Sequence, residues 1–247
     1  KARVGAALGI QDRLASKRPL YPRAARETDE DGVRFESVYF RSEPEVMICG
    51  CFLKRAKARA AKVALCLSDG GTRCMDEHAA KFRSRTDTDC DLFILDVRGR
   101  GAVAPHPVNP YPNTFPMTFF NTDGWLAWSA YCLGESVLGM RVFDVMRAID
   151  YLLEDAGYAA LRLEAEGLEG ALVGYLAAAL DGRVAETKID GLIESFEALV
   201  RTELYRKDFT PNLLVHGVLK EFDLPDLRSL FANRALDVTH VAVGLAE

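Results

Sequence analysis

The sequence predicts an α/β fold: a three-layer sandwich with a mostly parallel sheet that opens on an antiparallel hairpin. Three observations predict it. The apolar runs KVALCL (62–67) and LFILDV (92–97) flank a glycine-rich break and a helical stretch, which makes a βαβ unit and a parallel pair. Val33 to Phe40 alternates apolar and polar, turns at Glu43-Pro44, and is answered by the apolar Val46 to Leu53, as expected of an antiparallel pair. Leu161 to Leu180 (LRLEAEGLEGALVGYLAAAL) reads as a short strand, a tight turn and a small-residue helix. At 247 residues the chain suits one large α/β domain better than two small ones.

Taken in order, residues 1–31 are charged and without strong period. They read as an N-terminal arm with a short helix in Gly5 to Leu14, ahead of a domain over 32–247. Lys54 to Lys62 carries basic residues and reads as a solvated turn between strands rather than a phosphate patch. Asp76 to Phe82 is the helix of the βαβ unit. Ala102 to Asn121, with prolines at 105, 107, 110, 112 and 116, predicts a long ordered loop over the strand ends, and Phe115, Phe119 and Phe120 argue for that order. Trp125 to Glu154 is helical by the spacing of Val142, Val145, Met146, Ile149 and Leu152, with breaks expected at Gly134 and Gly139. Ala160 to Leu163 and Thr187 to Ile193 are strands, and Gly170 to Leu180 is the helix between them. Glu194 to Tyr205, Pro211 to Phe222 and Leu224 to Ala232 are helical, and Ala235 to Val243 is a last strand.

Composition excludes some functions. A net charge of −5 leaves no electrostatic footprint for nucleic acid or an anionic membrane, and no apolar run approaches the roughly 20 residues that span a bilayer. No Cys/His spacing suggests a metal, and no cofactor motif is present. Cys49, Cys51 and Cys66 lie in strand-like runs and read as small buried hydrophobes. Six free thiols favour a reducing compartment such as the cytoplasm, and nothing else fixes localisation. Beginning at Lys1 without a signal peptide, the chain reads as a processed or trimmed fragment.

Several phrases, in this order and spacing, carry a family resemblance. LFILDVRGRG resembles the fourth core strand and following turn of the α/β-hydrolases. GESVLGMRVFDVMRAIDYLLE resembles the helix before the nucleophile strand in their acetyl xylan esterase-like and dienelactone-hydrolase-like branch. ALDGRVAETKIDG resembles the segment after the nucleophile helix, and HGVLKEFDLPDLRSLFANRALDV resembles the "PG…DMPDL…APRPL" phrase of acetyl xylan esterase-like proteins. The resemblance covers residues 33 to 240. It implies a carboxylic ester hydrolase with a Ser nucleophile on a strand-to-helix elbow, an acid after the seventh core strand and a His after the eighth. It also implies that the last strand and helix of that fold are absent here.

The chemistry departs from the pattern. Setting Ala165-Glu166-Gly167-Leu168-Glu169-Gly170 against the family's elbow puts Gly167 at the nucleophile position, where it has no atom with which to attack a carbonyl. A glycine still suits a turn of unusual backbone angles. Glu166 and Glu169 read as polar residues at a helix N-terminus. The oxyanion donors would be the backbone N–H groups of Leu168 and of Asp69, in a Ser68-Asp69-Gly70 turn where many family members carry His-Gly. Ser68 is a substitute nucleophile without a recognisable base. Asp237 and His240 are the late acid and base candidates, although both fall inside the predicted strand. His216 reads as a surface or packed histidine, and His78 and His106 sit where the family places no base. Asp96 reads as a structural partner of the Arg98–Gly101 turn, and Asp223 and Asp226 as turn and cap.

Three functions follow. The first is an inactive structural or interaction module beside a neighbouring domain or a second copy. The second is an acetyl esterase-like carboxylesterase using non-standard residues or residues outside this chain. The third is a small-molecule binder that holds an acylated or carbohydrate-like ligand in the vestigial pocket.

Overall fold

A computed structural model describes residues 1–55, 60–105, 122–204 and 209–242. Part of the basic turn, His106 and most of the proline-rich loop, Tyr205 and the end of the last predicted strand lie outside them. Two short helices, α1 (Ala2–Ala7) and α2 (Gln11–Ala15), lead into β1 (Arg23–Glu30), β2 (Val33–Glu43) and β3 (Val46–Arg55). Then come β4 (Lys62–Leu67), α3 (Met75–Ser84), β5 (Cys90–Asp96), α4 (Thr122–Cys132), α5 (Val137–Asp150), β6 (Ala160–Glu166), α6 (Leu168–Leu180), β7 (Val184–Ile193), α7 (Phe196–Arg201) and β8 (Ala235–Val241). The eight strands form one sheet in the order β1-β2-β3-β5-β4-β6-β7-β8. β1, β2, β3 and β5 pair antiparallel, and from β5 through β8 every pairing is parallel.

The N-terminal segment departs from a simple surface arm. Val4, Leu8, Ile10 and Leu20 are buried in the main core, and Arg23–Glu30 is an edge strand in register with β2, Thr28 opposite Phe35. Every residue of β1 is exposed, so its backbone ladder and the exposed pairs of Arg34 with Glu27 and Asp29 hold it, and its charges suit an edge that must not pair further.

Two apolar layers sandwich the sheet. On one face α5 and α6 pack over Leu65, Phe93, Leu163 and Ile189. On the other α3 packs Ala79 and Phe82 over Leu53, Ala64, Cys66 and Leu92. Cys51, Cys66 and Cys90 are buried and Cys49 is half-buried, all with free thiols. β6 shows how sidedness is written into the strand. Leu161, Leu163 and Ala165 are buried towards α6, whereas the alternate Arg162, Glu164 and Glu166 form ion pairs on the other face, with Asp87, Arg85 and Lys81.

Gly134 lies in the break between α4 and α5, as the sequence predicts. Gly139 does not break a helix. It sits buried in the first turn of α5, its N–H bonded at 2.9 Å to the Ser136 cap, and a Cβ there would meet the Leu8 carbonyl. Close approach of the N-terminal segment is what this glycine permits. Gly139→Ala is therefore expected to destabilise the fold by about 1–3 kcal/mol, as overpacked cores do. Urea unfolding followed by circular dichroism checks this, with Gly182→Ala, exposed and outside the left-handed region, as the comparison.

Candidate functional site

β4 ends at Leu67 and delivers Ser68, Asp69 and Gly70 to the carboxyl edge of the sheet. The neighbouring β6 ends at Glu166 and delivers Gly167 and the N-terminus of α6 beside them. Parallel pairing of Leu67 with Ala165 forces the two turns together. Gly167 has φ +87° and ψ 172°, a region almost reserved for glycine, and its N–H donates to the Asp190 carbonyl at 3.1 Å. The sharp strand-to-helix turn is thus present.

Asp69 dominates this turn. Its carboxylate accepts three consecutive backbone N–H groups of α6: Leu168 at 3.0 Å, Glu169 at 3.1 Å and Gly170 at 2.8 Å. A helix leaves four such donors unpaired at its start, and one remote side chain satisfies three of them where the helix dipole favours negative charge. A Cβ at Gly167 would lie 2.7 Å from the Asp69 carboxyl carbon. The carboxylate therefore stands where a side chain at residue 167 would begin. Of the two residues read as oxyanion donors, Leu168 has its N–H committed to Asp69, and Asp69 enters the site through its side chain.

Beside the elbow lies a charge cluster. Glu169, in the first turn of α6, is buried rather than solvated. It pairs with Arg100, from the turn after β5, and with Arg141 of α5, which is 1% exposed. Arg100 also reaches Asp123 of α4 at 2.8 Å, and the Arg141 Nε donates to the Arg98 carbonyl at 3.0 Å. Arg98 in turn binds Asp144 and Glu43, each at 2.6 Å. Burial pushes the Arg141 guanidinium below its ordinary value despite Glu169. For Arg100 burial acts the same way, but the bonds and charges of Glu169 and Asp123 outweigh it and hold the group up. Asp96 is fully buried and accepts from the Thr72 and Ala102 N–H groups at 2.7 and 2.8 Å; its role is structural as expected, but its partners are Ala102, one residue past the Arg98–Gly101 turn, and Thr72, from the turn after β4.

The other candidates separate. Ser68 Oγ stands 3.2 Å from the His78 Nε2, and it also accepts the Gly71 N–H at 3.1 Å. His78, on the first turns of α3, is the partner that sequence reasoning missed. Burial is the main influence on it and moves its pKa below the ordinary 6.5, so it is neutral at pH 7. Asp237 and His240 are exposed on β8, two strands from β6, and His240 lines a different groove with Tyr175, Leu192 and Leu224. Neither is brought to Ser68. His216 is exposed in the turn ahead of a 3-10 segment, its ring 5.3 Å from that of Tyr131. Asp223 caps the 3-10 turn Leu224–Phe231 in a capping box with Asp226 and also accepts the Phe196 N–H at 2.6 Å, which makes both structural. Among the described residues no group of three His, Cys, Asp or Glu could hold a metal ion, and no helix is long and apolar enough to cross a membrane.

No family model and no curated protein matches the sequence. Solved structures do. A Bacteroides fragilis protein provisionally described as an acetyl xylan esterase superposes over 95% of this chain and 66% of its own, with a TM-score of 0.68 at 14% identity. A methylesterase superposes over 95% of this chain and 48% of its own (TM-score 0.59, 16% identity). An acetyl xylan esterase from Paenibacillus sp. R4 covers 94% and 72% (TM-score 0.56, 14% identity). The chain thus spans about half to three quarters of the length of these structures. It shares the α/β-hydrolase fold of these structures.

Two measurements probe the site. Asp69→Ala is expected to cost about 1–2 kcal/mol through loss of the α6 cap, with Asp69→Asn milder because its amide oxygen still accepts. Thermal unfolding reads both. The His78 ring resonances should titrate with a midpoint below 6.5. Because this histidine is depressed in the fold, its contribution to stability is present above the unfolded value and is lost as the pH falls through the folded one.

Proposed function

We propose that this domain is a catalytically silent α/β-hydrolase-fold module with a structural or interaction role. The observation that carries the reading is the Asp69 carboxylate on the Leu168, Glu169 and Gly170 N–H groups, against a glycine at the nucleophile position. Acyl transfer builds negative charge on the carbonyl oxygen, and preorganised N–H donors stabilise it. Here the donors are satisfied by a resident anion, which would also repel a developing oxyanion. The Arg100–Glu169–Arg141 cluster adds rigidity beside the elbow with no free nucleophile in it. The acylated or carbohydrate-like ligand that the fold suggests would have to bind under a loop that lies mostly outside the described residues.

The Ser68–His78 contact of 3.2 Å favours one second reading, a weak carboxylesterase with non-standard residues. In it the Ser68 Oγ would attack the ester carbonyl and give its proton to the neutral His78 Nε2. The imidazolium would return that proton to the departing alkoxide, and water would then release the acyl group. Among the described residues no carboxylate is hydrogen-bonded to His78 to orient it, so the first reading is preferred.

Incubation with p-nitrophenyl acetate and with a fluorophosphonate probe is expected to give neither turnover nor label. Labelling that disappears in Ser68→Ala would establish the second reading in its place. Gly167→Ser is expected to remain inactive and to lose about 1–3 kcal/mol, since the new side chain meets Asp69 in a backbone conformation that side chains avoid. Restored hydrolysis in that variant would show that Asp69 does not block the elbow.

A further inference from the structure

A groove of about 440 Å³ opens between α4 and residues 211–217, apart from the elbow. Its volume lies within the range of small-molecule sites. One wall is aromatic. Trp128 and Tyr131, one turn apart on α4, stand with ring centroids 6.1 Å apart at 88°, and the His216 ring meets Tyr131 at 5.3 Å and 72°. The opposite wall is Pro211, Leu214 and Val215. Trp128, Tyr131 and Leu214 are each more than half exposed, an apolar surface a folded chain would ordinarily cover. The polar groups are Glu135, Ser136 and His216. Ser136 is committed to capping α5, and Arg13 holds Glu135 at 2.6 Å, which leaves the carboxylate further acceptor capacity.

We propose that this groove binds a small, uncharged aromatic molecule bearing a hydroxyl, of the phenol class. The rings on α4 and the aliphatic side chains of Pro211, Leu214 and Val215 give a flat ring apolar surface to lie against. A sugar presents hydroxyls around its whole rim, and the groove has too few free polar groups to pair them, so each buried hydroxyl would lose a hydrogen bond. The Glu135 carboxylate accepts the phenolic hydroxyl and disfavours anionic ligands. The inference does not rest on the elbow being silent, and its test reads binding, with chromatography of the recovered probe to show that its methyl ester is intact.

Calorimetric titration with methyl 4-hydroxybenzoate tests it, with methyl benzoate and xylobiose as comparison ligands. The expected result is saturable binding of methyl 4-hydroxybenzoate, weaker binding of methyl benzoate and none of xylobiose. Tyr131→Ala should weaken binding roughly tenfold, as loss of one well-placed aromatic contact does. Leu214→Ser, on the opposite wall, should weaken it too, with both variants unchanged in circular dichroism. Absence of saturable binding overturns the site. So does binding that survives both substitutions, or xylobiose binding as tightly as the phenol. Equal affinity for methyl benzoate overturns recognition of the hydroxyl.

Discussion

The carboxylate of Asp69, set on three N–H groups at the start of α6, is the contact on which the carboxyl edge of the sheet depends. It ties the turn after β4 to the turn after β6, so that two strands adjacent in the sheet also share one capped helix end. It leaves no room for a side chain at residue 167 and so requires the glycine there. The same contact leaves the Leu168, Glu169 and Gly170 N–H groups paired within the fold. Position 167 and position 69 are therefore one structural choice rather than two independent ones.

The second constraint is charge compensation. Glu169, Arg100, Arg141, Arg98, Asp144 and Glu43 connect the first turn of α6, the turn after β5, α5 and the end of β2. Buried charges of this kind contribute little net stability when complete, but removing one partner strands another in low dielectric. The network thus specifies arrangement more than it adds free energy. On the opposite face, the ion pairs of Arg162, Glu164 and Glu166 make the far side of β6 polar while the near side carries the apolar core.

Much of the fold was legible in the sequence because burial leaves a period. KVALCL and LFILDV are strands buried on both faces, and the α5 spacing of Val142, Val145, Met146 and Ile149 marks the face it turns to the core. The Asp223–Asp226 cap and the role of Asp96 were likewise readable from local pattern. Where burial was not the cause, the pattern was silent. β1 is a strand through its ladder and a few exposed ion pairs, and it carries no apolar alternation. Gly139 has the composition of a helix break, yet its use is a contact with Leu8, far away in sequence. His78 lies ten residues from Ser68, and only the reversal of the chain between β4 and α3 brings their side chains together.

The sequence by itself determined the α/β class, the parallel sheet with its antiparallel start, and the strand–turn–helix at Gly167, since these follow from periodicity, glycine and local capping chemistry. It also placed a glycine, which has no reactive side chain, at the tip of that turn. Only the tertiary structure decided what occupies that space. The cap of α6 comes from a residue about a hundred positions earlier, and the partners of Glu169 come from α5 and the turn after β5. Such contacts depend on which strand ends are neighbours, and one-dimensional spacing carries no record of that.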